Sequence, residues 1–498
     1  MTVFGALGAI SGLTDDETAI LNELWRLWMA KLPRNMVRAT YYDYKNALKN
    51  LGIAIPPHLT EIDMALGWPA KAVDVLARRC KFERFTTPND GGEDPLGIVP
   101  MLNANDFAMG LPQAITSTFV HSCTLQMVAK GDTSIGEPEI LISSQSAMFC
   151  SGLWDHRLRR LKAAFSISNT DECGRVTEWL MFLPGVTIRG RWDRKWEIER
   201  YHHTLDRLPV EVLPYQPRLD RPFGKSRITR AVMGLTDSAL RTLMRMEIGA
   251  EFYSSPQRWI MGADESMFTD ADGNRVSQWQ ALLGQIWAAP ADPDNPTAPL
   301  PQVGEFKAAS PTPHTEQLRT LAAMFASETS LPLSELGIVH DNPSSAEAIE
   351  AAERSLIIEA DFAMDCFTPR LVRIVQTMLQ MRDGWDEMPP EVARLGARWS
   401  APENPLQSAA ADAVVKILAA MPGLADSTIP MEMLDWDEAT IQRARADIRR
   451  AGTKQLMQKL TESGNGSIGA GTAASAESSR PGNDAGSADV VGSGDESQ

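Results

Sequence analysis

The sequence predicts an α+β chain in which long helices carry a small inserted module, and three observations lead there. Apolar residues recur at helical spacing near both ends of the chain, and short β-prone runs separated by Gly, Asn, Asp and Pro fill residues 125–213. Two long helical stretches, 226–253 and 344–382, then lie on either side of a Pro/Asp-rich insert and a shorter helix. The 498 residues are 43% hydrophobic and 22% charged, which is ordinary globular usage and excludes wholesale disorder, a collagen-like repeat or a coiled-coil rod. That length suggests about three domains.

Ile20, Leu21, Leu24, Leu27 and Trp28 form a helical stripe after Thr14, Asp15 and Asp16, which suit a capped first turn, so a helix is expected from Asp15 to about Leu32. A second helix is expected over 65–79, with Pro69 in its first turn, and a third over 103–120. The runs 139–143, 164–167, 177–182 and 186–191 read as strands of a mixed or antiparallel sheet, followed by a Pro-punctuated connector at 213–222.

In the stretch 226–253, Ile228, Val232, Leu235, Ala239, Leu243 and Met246 advance by fours and threes, giving a helix roughly 40 Å long at 1.5 Å per residue. The insert 264–313 combines the turn chemistry of Asp270, Asp272 and Gly273 with seven prolines between Pro290 and Pro313. A helix over 314–329 follows, with Leu318, Leu321, Ala322 and Phe325. The long helix 344–382 then has Ser344 and Glu347 in capping-box position and Pro369 as the residue that must kink or divide it. Shorter helices are expected at 406–418 and 438–460. The tail, 461–498, is rich in Gly, Ser and Ala without an aromatic, and is expected to be disordered.

The charge is 48 basic against 64 acidic residues, net −16. Tight phosphate binding needs local Lys and Arg, so DNA in contact with so acidic a chain is expected to be loosely enclosed rather than gripped. No run reaches the roughly 18 apolar residues of a membrane helix, and Met1–Thr14 has neither a basic start nor a cleavage pattern, so no membrane association and residence in the cytosol are expected. The five cysteines form no CxxC pair and read as reduced, buried small hydrophobes.

Enzyme chemistry finds little footing. Gly224-Lys225-Ser226 opens a helical stretch, but Leu219 stands where a phosphate loop needs its first Gly and Pro222 and Phe223 fill the cradle. The plain reading is a turn in which Ser226 caps a helix and Lys225 and Arg227 lie in solvent. Gly464–Gly469 matches a dinucleotide fingerprint without a preceding strand, and the Asp270–Asn274 loop lacks the Glu of a calcium site. His202 and His203 are adjacent and point to opposite faces of a strand. No catalytic residue, metal or cofactor is expected. The long helices instead make a stalk with a module at its tip, whose stripes bury against neighbouring copies or form a helical layer inside one large domain.

Several stretches, in this order, resemble one known family: Tyr41–Tyr44, Gly67–Arg79, Arg221–Ile228, Phe252–Trp259, Ala326–Gly337 and Asn342–Ile349. Across about residues 14–385 the chain resembles the portal proteins of tailed bacteriophages, of the siphovirus type common in phages of actinobacteria. The resemblance implies a portal-type ring subunit with no enzymatic activity. It would be a dodecamer at one capsid vertex, through which double-stranded DNA enters and leaves, located in the virion and in the host cytoplasm during assembly. It divides the chain into a wing (1–225), a first stem helix (226–263), a clip (264–313), a second stem helix (314–330), a tunnel loop with a long kinked helix (331–384), a crown-like helical region (385–460) and the tail (461–498). The implied partners are the terminase large subunit, the head–tail adaptor, and the major capsid and scaffold proteins.

The same resemblance places Ser334, Glu335, His340, Asp341 and Asn342 in the tunnel loop, and Asp270, Asp272, Trp279 and Trp287 in a partner-binding clip. Glu347, Glu350, Glu353, Glu359, Asp361 and Asp365 stand against Arg354 alone in residues 343–366, so this acidic helix faces the bore, where it repels phosphate, or simply faces solvent. Lys225, Arg227, Arg230, Arg241 and Arg245 make the first stem helix basic, for salt bridges between subunits or for DNA contact. Residues 143–161 and those beyond about 385 match little and receive no role. The competing functional reading is a nucleotide-dependent DNA-processing enzyme using Gly224-Lys225-Ser226; another phage structural protein, such as an adaptor, is a third.

Overall fold

The computed structural model describes residues 10–46, 64–87, 94–254, 258–261, 302–305, 310–337, 346–403, 407–434, 436 and 438–465. They form two compact units that divide after Leu406, so residues 385–406 belong with the first unit and not with the helices that follow. The fold is α+β, and among the described residues every strand pair is antiparallel.

Helix α1 (Asp15–Tyr42) starts on a capping box. Thr14 Oγ1 accepts from the Glu17 amide at 3.2 Å and Glu17 returns a carboxylate oxygen to the Thr14 amide at 2.8 Å. Replacing Thr14 by Ala removes that cap, and a loss of about 1 kcal/mol in urea unfolding is expected. The helix runs ten residues past the expected Leu32 through Pro33, because Leu32 and Asn35 are buried and Asn35 donates to the Ala147 carbonyl at 2.9 Å. Helix α2 (Trp68–Arg79) has Pro69 in its first turn, as its sequence suggests.

The single helix expected over 103–120 is two, α3 (Ile98–Ala104) and α4 (Phe107–His121). Asn105 breaks it by turning its side chain to other work: Nδ2 donates to the carbonyls of Met101 and Ile140, and Oδ1 accepts from the Ile142 amide.

Strands β2 (Cys123–Lys130), β3 (Ile140–Ser146) and β9 (Val210–Pro214) form one sheet in the order β3-β2-β9. A five-stranded meander follows the order of the chain: β4 (Cys150–Asp155), β5 (Arg160–Thr170), β6 (Val176–Leu183), β7 (Val186–Asp193) and β8 (Lys195–His202). Helix α1 covers the meander with Leu24, Trp25 and Trp28 against Phe165 and Trp179. Gly190 is required beneath Trp179, since a Cβ there would lie 2.2 Å from the indole. Leu125, Met127 and Val212 of the first sheet share a core with Leu161, Ala164 and Phe182 of the second. Of the cysteines, Cys80, Cys123 and Cys150 are buried as expected, whereas Cys173 is exposed in a hairpin and Cys366 is half-buried.

Helix α5 (Arg230–Ser254) and α6 (Thr312–Thr329) lie side by side and antiparallel, since the entry to α5 touches the end of α6. Two short strands, β10 (Arg258–Met261) and β11 (Gln302–Glu305), pair as a ribbon at the far end, so the chain leaves and returns at one place around the insert. The insert itself, with Asp270, Asp272, Trp279 and Trp287, lies outside the described residues. Of the apolar stripes of this helix pair, Ile228, Val232, Ala239, Ala322 and Phe325 bury within the chain, whereas Leu235, Leu243, Met246, Leu318 and Leu321 are half-buried in a single copy. Val232 and Ala239 join Ala322, Phe325 and Trp68 in one cluster, because α2, α4 and the next long helix wrap the same core.

That helix, α7 (Ala346–Asp383), is continuous through Pro369 rather than divided. Ala363, Phe367, Leu371, Ile374, Val375 and Met378 are all buried, and this packing holds both halves in one element. Thr368 meanwhile donates its hydroxyl to the Met364 carbonyl at 2.8 Å. After a short helix, α8 (Pro390–Ala393), strand β12 (Gly396–Trp399) pairs with β1 (Phe82–Thr86), a pairing that charged residues such as Glu83, Arg84 and Arg398 hide in the sequence.

The second unit contains α9 (Gln407–Ala420), α10 (Ile429–Met433) and α11 (Glu438–Asn465), the last running five residues past the expected Leu460. Residues 466–498, the rest of the tail, lie outside the described residues; of the Gly464–Gly469 match only Gly464 and Asn465 are described, at the end of α11. No described helix is long and apolar enough to cross a membrane.

Candidate functional site

Three candidate residues, Lys225, Arg227 and Glu359, meet at the foot of the α5–α6 pair, where the connector after β9 turns into α5. Tyr215 is tied to the end of α4 by its amide, which donates to the Ser122 carbonyl at 3.0 Å, and its own carbonyl accepts from Lys225 at 2.8 Å. Gly224 sits inside this corner with φ +74°, and a Cβ there would lie 2.2 Å from the Tyr215 carbonyl oxygen, so only glycine fits. Ser226 is buried and donates its hydroxyl to the Val120 carbonyl at 2.6 Å, while the Arg227 amide donates to Phe119 at 2.8 Å.

A phosphate loop needs free amides and a free hydroxyl; here the Lys225 and Arg227 amides and the Ser226 hydroxyl are spent on backbone carbonyls. The enzyme reading of Gly224-Lys225-Ser226 is therefore withdrawn. Nor does Ser226 cap the helix: α5 begins at Arg230, and Thr229 caps it by accepting from the Val232 amide at 3.2 Å.

Arg227 departs furthest from expectation. It is 4% exposed, not in solvent, and its guanidinium is the hub of the corner. It pairs with Glu359 of α7 at 2.8 Å and donates to the Tyr215 hydroxyl at 3.1 Å, to the Ala72 carbonyl of α2 and to the Thr329 carbonyl at the end of α6. One side chain thus ties the foot of the α5–α6 pair to α2 and α7. Glu359 Oε1 also accepts from Tyr215 and from Gln216 Nε2, whereas Oε2 is buried with no hydrogen-bond partner. Burial pushes the Tyr215 phenol up, and burial likewise raises the nearby Cys80 thiol to about 12, so both stay neutral.

Two tyrosines brace the same region. Tyr41 donates to Asp237 of α5 at 2.9 Å and Tyr42 to Asp74 of α2 at 2.8 Å; burial, reinforced by Asp237, pushes the Tyr41 phenol up to about 12. Tyr41 and Tyr42 belong to the first stretch that carries the family resemblance, yet spacing alone assigns them no work. Tyr215, Gln216 and the carbonyls of Ala72 and Thr329 also have no signal in the sequence, because a backbone acceptor from a distant helix leaves none.

The remaining candidates separate. On α7, Glu353 turns inward and pairs with Arg79 at 2.8 Å, so it joins Glu359 in structural ion pairs. Asp361 and Asp365 are exposed, and burial followed by the charges of Asp365 and Glu403 raises the Asp361 carboxyl. They share their face with Ile358 and Phe362, 60% and 49% exposed, so this face is not purely acidic. Glu347 and Glu350 lie on α7, at its start.

On α5, Arg230 and Arg245 are exposed, as is Lys225 before it, while Arg241 is half-buried and donates to Ser238 at 3.0 Å. Ser334 is exposed on a short 3-10 turn, and Glu335 pairs with Lys71 at 2.8 Å. His340, Asp341 and Asn342 lie outside the described residues. Among the described residues no group of three or more His, Cys, Asp or Glu is arranged to hold a metal.

No family model matches the chain. Two solved structures are similar to it at 13% identity. "Neck of native GTA particle computed with C12 symmetry" has a TM-score of 0.43 over 82% of this chain and 97% of that chain. "Neck of empty GTA particle computed with C6 symmetry" has a TM-score of 0.37 over 72% and 86%. Among curated proteins, the portal protein of Mycobacterium phage L5 is 28% identical over 420 residues, which is 82% of this chain and 83% of that protein. The portal protein of Mycobacterium phage D29 is 27% identical over 423 residues, with the same coverage. The aligned length takes in far more than any single motif, and both relatives carry the same name: over most of its length the chain is similar to the portal proteins of tailed bacteriophages.

Proposed function

We propose that this chain is the subunit of a ring, twelve copies in the virion, that forms the genome channel at one capsid vertex. The observation that carries the reading is the alignment with two portal proteins over 82% of the chain. The geometry supports it: an antiparallel helix pair leads to an insert through a two-stranded ribbon and is clamped at its foot by Arg227. In this reading α5 and α6 are the stem, the insert is the clip that meets the terminase large subunit and then the head–tail adaptor, and the first sheets form the wing. Major capsid and scaffold proteins surround that wing.

Met324 of α6 and Ile358 and Phe362 of α7 are large apolar side chains left in water in a single copy, 56%, 60% and 49% exposed, and they supply a seam for neighbouring copies. Asp361 and Asp365 face the bore, where carboxylates keep phosphates from adhering while DNA moves. The exposed Arg230 and Arg245, with Lys225, serve pairing between subunits, and Ser334 belongs to the loop that reaches the channel. The role is that of a structural channel without catalysis, in the virion and, during assembly, in the host cytoplasm.

Depletion of this protein during phage growth tests the reading: capsids are expected to assemble but remain without genome. Heads that fill with DNA in its absence would contradict it.

A further inference from the structure

The five-stranded sheet carries a hairpin tip to which the channel reading gives no work. Asp155 pairs with Arg160, so residues 156–159 form the turn between β4 and β5. From Arg157 to Lys162 the chain carries Arg157, Arg159, Arg160 and Lys162 with no acidic residue between them. Arg157, Arg159 and Lys162 are exposed and Arg160 half-exposed, and none of the four is in a salt bridge among the described residues. Asp155, at the foot of the turn, is occupied in building it. Its carboxylate accepts from the amides of Arg157 and Leu158 at 2.8 and 2.9 Å, and the Leu158 amide is the main cause that holds it below the usual carboxylate range.

Arg159 adopts φ +52°, in the left-handed region that favours Gly or Asn. A long cationic side chain at such a position suggests a turn kept for its charge rather than for ease of folding. In a chain of net charge −16, the tip is a local reversal of sign.

We infer that this tip binds the phosphate backbone of duplex DNA, as a contact separate from the channel-lining residues proposed above. Guanidinium groups match phosphate oxygens in a planar fork, and such contacts need no groove and read no sequence. An acidic protein partner is disfavoured because protein interfaces are anchored by buried aromatic or aliphatic clusters, and the tip offers Leu158 alone, 55% exposed. That duplex DNA is the polyanion this chain meets rests on the portal reading; the geometry of the tip does not.

The test uses the purified full-length chain and a fluorescein-labelled duplex of arbitrary sequence, with anisotropy read between about 50 and 200 mM salt. Ring assembly is followed in parallel by electron microscopy. The variant is Arg157→Ala with Arg159→Asn, since Asn tolerates the left-handed backbone. The salt slope of log K is expected to fall by about two, roughly 0.9 for each phosphate no longer neutralised, with assembly unchanged. An unchanged slope, or a parent chain that does not bind duplex at the lowest salt, overturns the inference. So does poly-glutamate that competes equally and loses binding in the same variant, because that pattern marks an acidic protein partner. Failure of the parent chain to form rings would count against the portal reading, while the slope still decides the hairpin.

Discussion

Replacing Arg227 by Met is expected to destabilise the first compact unit by about 3–5 kcal/mol, the usual cost of removing one partner from a buried ion pair. Glu359 would keep Tyr215 and Gln216 as donors to one oxygen but would lose the guanidinium that balances its charge, with its other oxygen already unpartnered. Adding Glu359→Gln to Arg227→Met removes the stranded charge, so the double variant is expected to recover most of the stability. Urea unfolding of the parent chain and both variants at pH 7 measures both effects. Equal stability of Arg227→Met and the parent chain would mean that the hub does not hold the α5–α6 pair to α2 and α7.

Gly224→Ala is the second large effect. The new methyl would stand 2.2 Å from the Tyr215 carbonyl oxygen, a backbone atom that cannot swing aside, and φ +74° is itself unfavourable for an L side chain. Backbone shift and left-handed strain together are expected to destabilise by about 3 kcal/mol. Lys225→Ala, one residue on, changes an exposed side chain and is expected to stay within about 0.5 kcal/mol of the parent. The pair separates a structural corner from a nucleotide site. A corner fails at Gly224 and ignores Lys225, whereas a site using the lysine would lose activity at Lys225 with the fold intact.

Much of this fold is legible in the sequence because burial and spacing coincide. The capping box at Thr14, Pro69 at the start of α2, and the stripes of α5 to α7 are local signals, and α1, α2, α5, α6 and α7 appear where they point. What fails is whatever depends on partners distant in sequence. Asn105 ends a helix to stitch β3, which begins at Ile140, and β12 pairs with β1 from the other end of the first unit.

The site fails for the same reason in sharper form. Five cations between Lys225 and Arg245 look alike in a sequence, yet Arg227 is buried against Glu359 whereas Lys225 and Arg230 are in solvent. The acidic residues of α7 divide likewise: Glu353 and Glu359 turn inward to arginines, leaving Asp361 and Asp365 exposed. Charge composition gives the sign of a segment; which charges meet an inward partner is decided by packing from α2 and the connector after β9.

That copies of this chain close around a hole wide enough for duplex DNA is tested most directly by electron microscopy of the purified full-length protein. Closed rings are expected, with a central opening wider than the roughly 20 Å duplex, Ile358 and Phe362 covered by the neighbouring copy, and Asp361 and Asp365 facing the opening. Single copies with no ring at any protein concentration, or rings in which those two aspartates lie on the outer rim, would contradict it.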